Sequence, residues 1–487
     1  MTGRTAPAIL VLALALIVNI GAQEPAELIV RNGLIVTVDA RSEADLRIRN
    51  GTIVEIGPRL AGAPGARQLD ARGMLVLPGG VDPHTHLSAD PPPPGRIAES
   101  YTSGSATALA GGVTTLTNFV GRRANETITA FLDRTTAEVE RSAIADVLIH
   151  VYLGSDPAWL TPQVLATMVA RGFTSTKTFT REPYFDTNAV AFVKAFRASG
   201  AAGVLSMVHC EDASILADLG DVMVAEGRGG LHNYAASRPA ITEELATRRA
   251  IAIAEVTGAP VYIVHVSAEG AVRAAAEAQA RGLPVYVETR PMYLHLTQER
   301  YLRPDAGLYM GSPPLREKRD QDELWSGIAN GTVHTIGTDH GARTREEKMD
   351  PSLNVVTRRE GVSNLQVYRP MLYSEGVRTG RITLEQFVAV TATNPAKIFG
   401  IYPRKGTIQV GSDADIVIWD PNLKRTIRDE DELSASHWSI YSGWDVTGWP
   451  RTTIRRGEIV YQDGRVIGRA GTGKVVPQAR WTRPVLR

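Results

Sequence analysis

Between residues 75 and 337 the chain repeats one rhythm. A short apolar run rich in β-branched residues gives way to a helical stretch of ten or more, and this alternation restricts the fold more than any other feature. Candidate strands lie near 75–81, 113–119, 147–152, 173–178, 204–208, 261–266, 284–288 and 333–337. Eight such runs with helices between them predict an α/β fold in which parallel strands close into a (β/α)8 TIM barrel. The helices have local support. In "TEELATRRAIAIAEVTG", Thr242 is a candidate cap, Glu243 and Glu244 stand where the helix dipole favours anions, and Gly258 ends the run. "AEGAVRAAAEAQARG" stops in the same way at Gly282.

The flanks have a different texture. Short alternating segments run from Leu28 to Arg72, broken by Asn32-Gly33 and Asn50-Gly51, which are hairpin signals. The same texture returns after Gly406 in "GTIQVGSDADIVIWDP" and "TTIRRGEIVYQDGRVIG". The expected organisation is a composite β-sandwich domain formed by both termini (27–74 and 405–470), a barrel over 75–404 and a C-terminal tail over 471–487. A chain of 487 residues suits one large domain with a smaller companion.

At the N-terminus, Arg4 precedes the apolar run from Ala8 to Val18, and the small residues Gly21 and Ala22 follow. This reads as a signal peptide over residues 1–22, which predicts a secreted or periplasmic protein with no membrane attachment after cleavage. The run is short for a transmembrane helix, and an uncleaved anchor is the alternative. A net charge of +1, with no Lys/Arg cluster interleaved with aromatics, gives no nucleic-acid footprint. The one cysteine, Cys210, excludes an internal disulfide, and its place beside His209 on an apolar run reads as packing.

The chemistry gathers at the ends of the predicted strands. His84 and His86 in "VDPHTHL" have the period-two spacing that sends both imidazoles to one side of an extended segment. Alone, such a pair means little. Lys177 in "GFTSTKTF", His209 in "VHCED", His265 in "YIVHVSAEG" and Asp339 in "IGTDHGA" also sit at the C-terminal ends of apolar runs, and in a barrel those ends converge on one mouth. A purely structural explanation must accept several buried polar groups, each costing about 1–3 kcal/mol if left unpaired. A metal site explains them together.

With "PGGVDPHTHL", "VHCED", "VYIVHVSAEG", "GSPPLRE", "IGTDHGA" and "TNPAKIFGIYPRKGTIQVGSDADIVIWDP", the chain resembles the amidohydrolase superfamily, most closely its dihydropyrimidinase and D-hydantoinase group, from about Glu27 to Arg469. The resemblance implies two divalent metal ions, with zinc the expected identity. His84, His86 and Asp339 would ligate one and His209 and His265 the other. Lys177, N6-carboxylated to a carbamate, would bridge them. It implies hydrolysis of a C–N bond in a cyclic amide or imide by a metal-bridging hydroxide, with Asp339 as catalytic general base. It also implies a homo-oligomer, commonly a tetramer. Two rivals share the fold: a hydrolase of linear amides such as N-acyl amino acids or small peptides, and a non-catalytic scaffold of the kind seen in collapsin response mediator proteins, which lack the full ligand set.

The sequence departs from that group where substrate is met. The tyrosine expected five residues after the lysine is Glu182 here, with Tyr184 two places on as a possible substitute. "ETCPQ" becomes "ETRPM", which introduces Arg290; "HCPF" becomes "HGARTREEK"; and a Pro-Asn-Gly segment gives way to "RREGVSN" at 358–364. Ser312 matches a substrate-contacting stretch, and His340 is a candidate to orient Asp339. Tyr184, Glu182, Arg290, Ser312 and His340 are the candidate substrate contacts. Arg181, Arg290 and Arg343 either make the mouth electropositive, favouring a carboxylate-bearing substrate, or pair with neighbouring acids.

Overall fold

A computed structural model describes residues 27–92 and 97–486. The predicted signal peptide lies outside the described residues. Among them, no helix is long and apolar enough to cross a membrane.

The eight expected barrel strands are present and parallel, in chain order: Gly80–Val81, Val113–Gly121, Asp146–Tyr152, Ser175–Phe179, Leu205–His209, Val261–Ile263, Val285–Thr289 and Thr335–Ile336. The first and last meet through backbone bonds beyond their ends. Asp339 N–H donates to His84 O at 2.8 Å and His86 N–H donates to His340 O at 2.7 Å. Closure therefore runs through the same residues that carry the polar side chains. At the opposite ends of the strands the C-terminal segment returns, with Val476 N–H on Val147 O and Trp481 N–H on Gly203 O, and leaves the mouth open.

Both termini build a second, nine-stranded mixed sheet. Its seam is Leu75–Pro78, which pairs in parallel with Glu27–Val36 and antiparallel with Ile416–Thr426. The run read as one barrel strand over 75–81 is thus two elements. The break falls at Gly79, where a Cβ would lie 2.2 Å from Thr114 Oγ1, so only glycine lets the backbone pass between sheet and barrel. Leu28, Val30, Leu46, Ile48, Val76, Ile416 and Ile454 form a core shared by the two ends of the chain.

Two local expectations are corrected. Asn50-Gly51, with φ of 50° and 79°, does turn Arg41–Arg49 into Thr52–Gly57. Asn32-Gly33 instead forms a bulge within Glu27–Val36, where the register shifts between Val30 and Gly33. The helix at 240–257 begins after Pro239, not at Thr242, so Thr242 and Glu243 are internal. Glu243 is free to accept from Ser267 N–H at 2.7 Å and Ala268 N–H at 3.1 Å, and so fixes the loop after His265.

Candidate metal centre

The loop after the first barrel strand is held by Asp82, whose Oδ1 accepts from His84 N–H and Thr338 N–H, each at 3.1 Å. This ties the two ends of the barrel together and sets the histidine pair against Asp339. Asp339 Oδ1 lies 2.8 Å from His86 Nε2 and 3.2 Å from His84 Nε2. Ligand atoms of His84, His86 and Asp339 all fall within 4.8 Å of one another, close enough to surround one cation.

His84 Nδ1 lies 2.7 Å from Glu288 Oε1; burial pushes this carboxyl up to about 8, and in its ionised form it fixes the N–H on Nδ1, leaving the Nε2 lone pair for a metal. Glu288 also accepts from His265 N–H at 3.0 Å and from Tyr262 Oη at 2.9 Å, so one buried carboxylate arranges two strand ends. His209 Nε2 lies 2.7 Å from Glu211 Oε2, which leaves Nδ1 for coordination. Arg238 holds Glu211 through Nε at 2.9 Å and Nη2 at 2.5 Å.

The rings of His209 and His265 are 4.5 Å apart and those of His84 and His265 5.3 Å apart. His265 has a φ of 42°, and its buried Nδ1 finds no hydrogen-bond partner among the described residues. Lys177 is fully buried. Its Nζ also lacks a partner among them, and lies 4.7 Å from the Phe119 ring and 5.0 Å from the Phe179 ring.

Burial sets the charge states. It pushes the Lys177 ammonium down to about 7 and His209 down to about 3, and it holds His84 and His265 well below the usual imidazole value. Neutral imidazoles are the metal-binding form. For Asp339, burial alone raises the carboxyl; Arg290, His84 and His86 override it and hold the group well below the ordinary carboxylate range. Three neutral imidazoles, an ionised carboxylate and an orphaned buried amine form a donor set that fits divalent cations better than it fits a closed core.

A cavity of about 210 Å³ opens here, lined by His84, His86, His209, His265 and Asp339 together with Phe179, Arg181, Ser312, Arg343 and Glu360. Of the candidate substrate contacts, only Ser312 reaches this wall. Tyr184 sits in the short helix Pro183–Thr187, which turns its hydroxyl to Tyr152 Oη at 2.7 Å and its ring onto Phe192. Glu182 faces an outer depression beside Arg181. Arg290 lies behind Asp339, with Nη1 3.1 Å from Oδ2. His340 is fully buried, and its Nε2 lies 2.9 Å from Glu99 Oε2. The mouth arginines are paired: Arg181 with Glu360 at 2.7 Å and with Glu182 at 3.4 Å, and Arg343 with the Glu360 carbonyl at 3.2 Å.

Glu211, Glu288 and Glu360 are additional. Glu288 ends an apolar strand and Glu211 follows His209 by two residues, so the rule that finds the histidines also reaches them.

Comparison with known proteins agrees with this geometry. The Amidohydrolase family model matches residues 75–460. The chain is 35% identical to a D-hydantoinase of Ralstonia pickettii over 86% of its own length and 92% of that protein. It is also 35% identical to a D-hydantoinase of Geobacillus stearothermophilus over 86% and 89%. The crystal structure of dihydropyrimidinase from Brevibacillus agri superposes with a TM-score of 0.88 at 34% identity, covering 94% of this chain and all (100%) of that one. The chain therefore belongs to the amidohydrolase family, a family of metal-dependent hydrolases, alongside D-hydantoinases and dihydropyrimidinases.

Proposed function

We propose that this protein hydrolyses a ring C–N bond of a cyclic amide or imide, of the hydantoin or dihydropyrimidine kind, with two divalent cations, zinc by preference. The observation that carries the reading is the cluster of His84, His86 and Asp339, whose ligand atoms lie within 4.8 Å of one another, with the His265 ring 5.3 Å from that of His84 and the buried Lys177 amine close enough to add to burial in lowering His84, His209 and His265, in a chain similar to D-hydantoinases over most of its length. His84, His86 and Asp339 would hold one cation, His209 and His265 the other, and N6-carboxylated Lys177 both. The orphaned Nζ and its lowered pKa support this, because a neutral amine is the form that adds carbon dioxide, releasing one proton and gaining two oxygens that share one negative charge.

When bound, the cations lower the pKa of water and polarise an amide carbonyl. The chain's own groups do the rest. Glu288 and Glu211 fix the tautomers of His84 and His209. Asp339 takes a proton from the attacking water and passes it to the departing ring nitrogen, so that amide and water become a carboxylic acid and an N–H. Arg290 holds Oδ2 during that transfer. Ser312 stands in the wall where the ring is bound. The N-terminal apolar run supports export to the periplasm or beyond, and tetramer formation follows from the resemblance to hydantoinases.

The test is ring opening of hydantoin and dihydrouracil by zinc-loaded protein, followed by loss of ring absorbance, beside N-acyl amino acids and a chelated control. Opening of the cyclic compounds that is abolished by chelation is expected. Turnover confined to the linear amides would overturn the cyclic-amide reading.

A further inference from the structure

Glu360 belongs to the stretch 358–364 that departs from the hydantoinase pattern, and its side chain lines the same cavity as the histidines. Ser312 Oγ and Arg358 Nη2 each donate to Oε1 at 2.5 Å, and Arg181 Nη1 donates to Oε2 at 2.7 Å. The backbone on either side is clamped by the buried Lys348, whose Nζ donates to Arg359 O and Gly361 O at 2.6 Å and to Met310 O at 2.8 Å. The carboxylate is therefore a fixed part of the wall, and the arginines around it keep it ionised.

An ionised carboxylate offers about four acceptor sites. The three donors found among the described residues fill both sites on Oε1 and one on Oε2. One acceptor on Oε2 is left beside the Arg181 guanidinium, whose N–H groups are donors. A group carrying both an N–H and a C=O at one end matches that pair. A hydrocarbon branch of the same shape matches neither and takes water from a charge without replacing it. A carboxylate brings acceptors only, and meets Oε2 with like charge.

We propose that Glu360 is a specificity-determining residue, selecting cyclic ureides whose ring substituent ends in a carboxamide group. This rests on the hydantoinase reading above and names the substrate class within it.

The experiment compares kcat/KM of the zinc-loaded protein for hydantoin, 5-(2-carbamoylethyl)hydantoin, its hydrocarbon isostere 5-(3-methylbutyl)hydantoin and 5-(2-carboxyethyl)hydantoin. The carbamoyl compound should exceed the isostere and the carboxylate by about tenfold or more. In Glu360→Gln the amide oxygen keeps the Arg181 contact while the negative charge is lost, so the carboxylate substrate should gain on the carbamoyl compound and their ratio should fall toward one; a role confined to holding the loop would lower all rates without changing their ratio. An isostere opened as well as the carbamoyl compound by the wild type overturns the proposal, and that ranking decides it even if the variant fails to fold. If hydantoin is opened and the isostere preferred, only this inference falls; if no hydantoin is opened, the underlying reading falls with it.

Discussion

Arg290 Nη1 lies 3.1 Å from Asp339 Oδ2, while Oδ1 of the same carboxylate lies 2.8 Å from His86 Nε2. The two oxygens thus have separate partners, and the arginine is fully buried behind the acid. Arg290→Met frees Oδ2 to rotate, and kcat should fall about 10–100-fold with a smaller change in KM, as for loss of groups that orient metal ligands. Steady-state kinetics at saturating zinc check this. A change in KM alone would mean that Arg290 contacts substrate instead.

Glu288 and Glu211 fix the tautomers of His84 and His209 through contacts of 2.7 Å each. Glu288→Gln and Glu211→Gln should each weaken metal binding about 10–100-fold, measured by competition with a chromophoric chelator. Affinities equal to wild type would remove these carboxylates from the centre.

Lys177 has a folded-state value of about 7 against an ordinary 10.5. Between those pH values the folded, metal-free, unmodified chain binds fewer protons than the unfolded chain, so its stability should rise as pH increases through that window. Below about 7 both states carry the proton, and this group adds no further slope. Denaturant unfolding of chelated, CO2-depleted protein measures the slope, and Lys177→Met should flatten it. An identical slope in the variant would show that Lys177 titrates normally.

Removing the metal leaves the Lys177 amine and the His265 Nδ1 buried and without hydrogen-bond partners among the described residues. The chelated protein should melt below the zinc-loaded one, with the gap widening as free zinc rises, because the cation binds the folded state. Coincident melting curves would contradict a site built around cations.

The barrel and the candidate ligands are legible because each of His84, His86, Lys177, His209, His265 and Asp339 closes an apolar run, and strand direction alone sends those ends to one mouth. Glu288 obeys the same rule, yet a carboxylate at a strand end also reads as a solvated loop residue, and nothing local tells the two apart. Tyr184 shows a different limit. Its offset from Lys177 is right for a substitute, but the helix at 183–187 sets the side-chain direction. Asn32-Gly33 has the composition of a turn and is a bulge, because both sides of it pair with the same neighbouring strand. Glu360 meets Arg181 across 179 residues of sequence, a contact that depends on the finished barrel.

The most direct measurement is the metal content and hydantoin turnover of Lys177→Ala beside the wild type, with and without an added short-chain carboxylic acid. Two divalent ions per wild-type chain are expected, with a loss of metal and of at least about 100-fold in turnover in the variant, partly restored when the acid supplies the missing oxygens. A Lys177→Ala protein that keeps its full metal content and opens hydantoin at the wild-type rate would contradict a centre bridged by this residue.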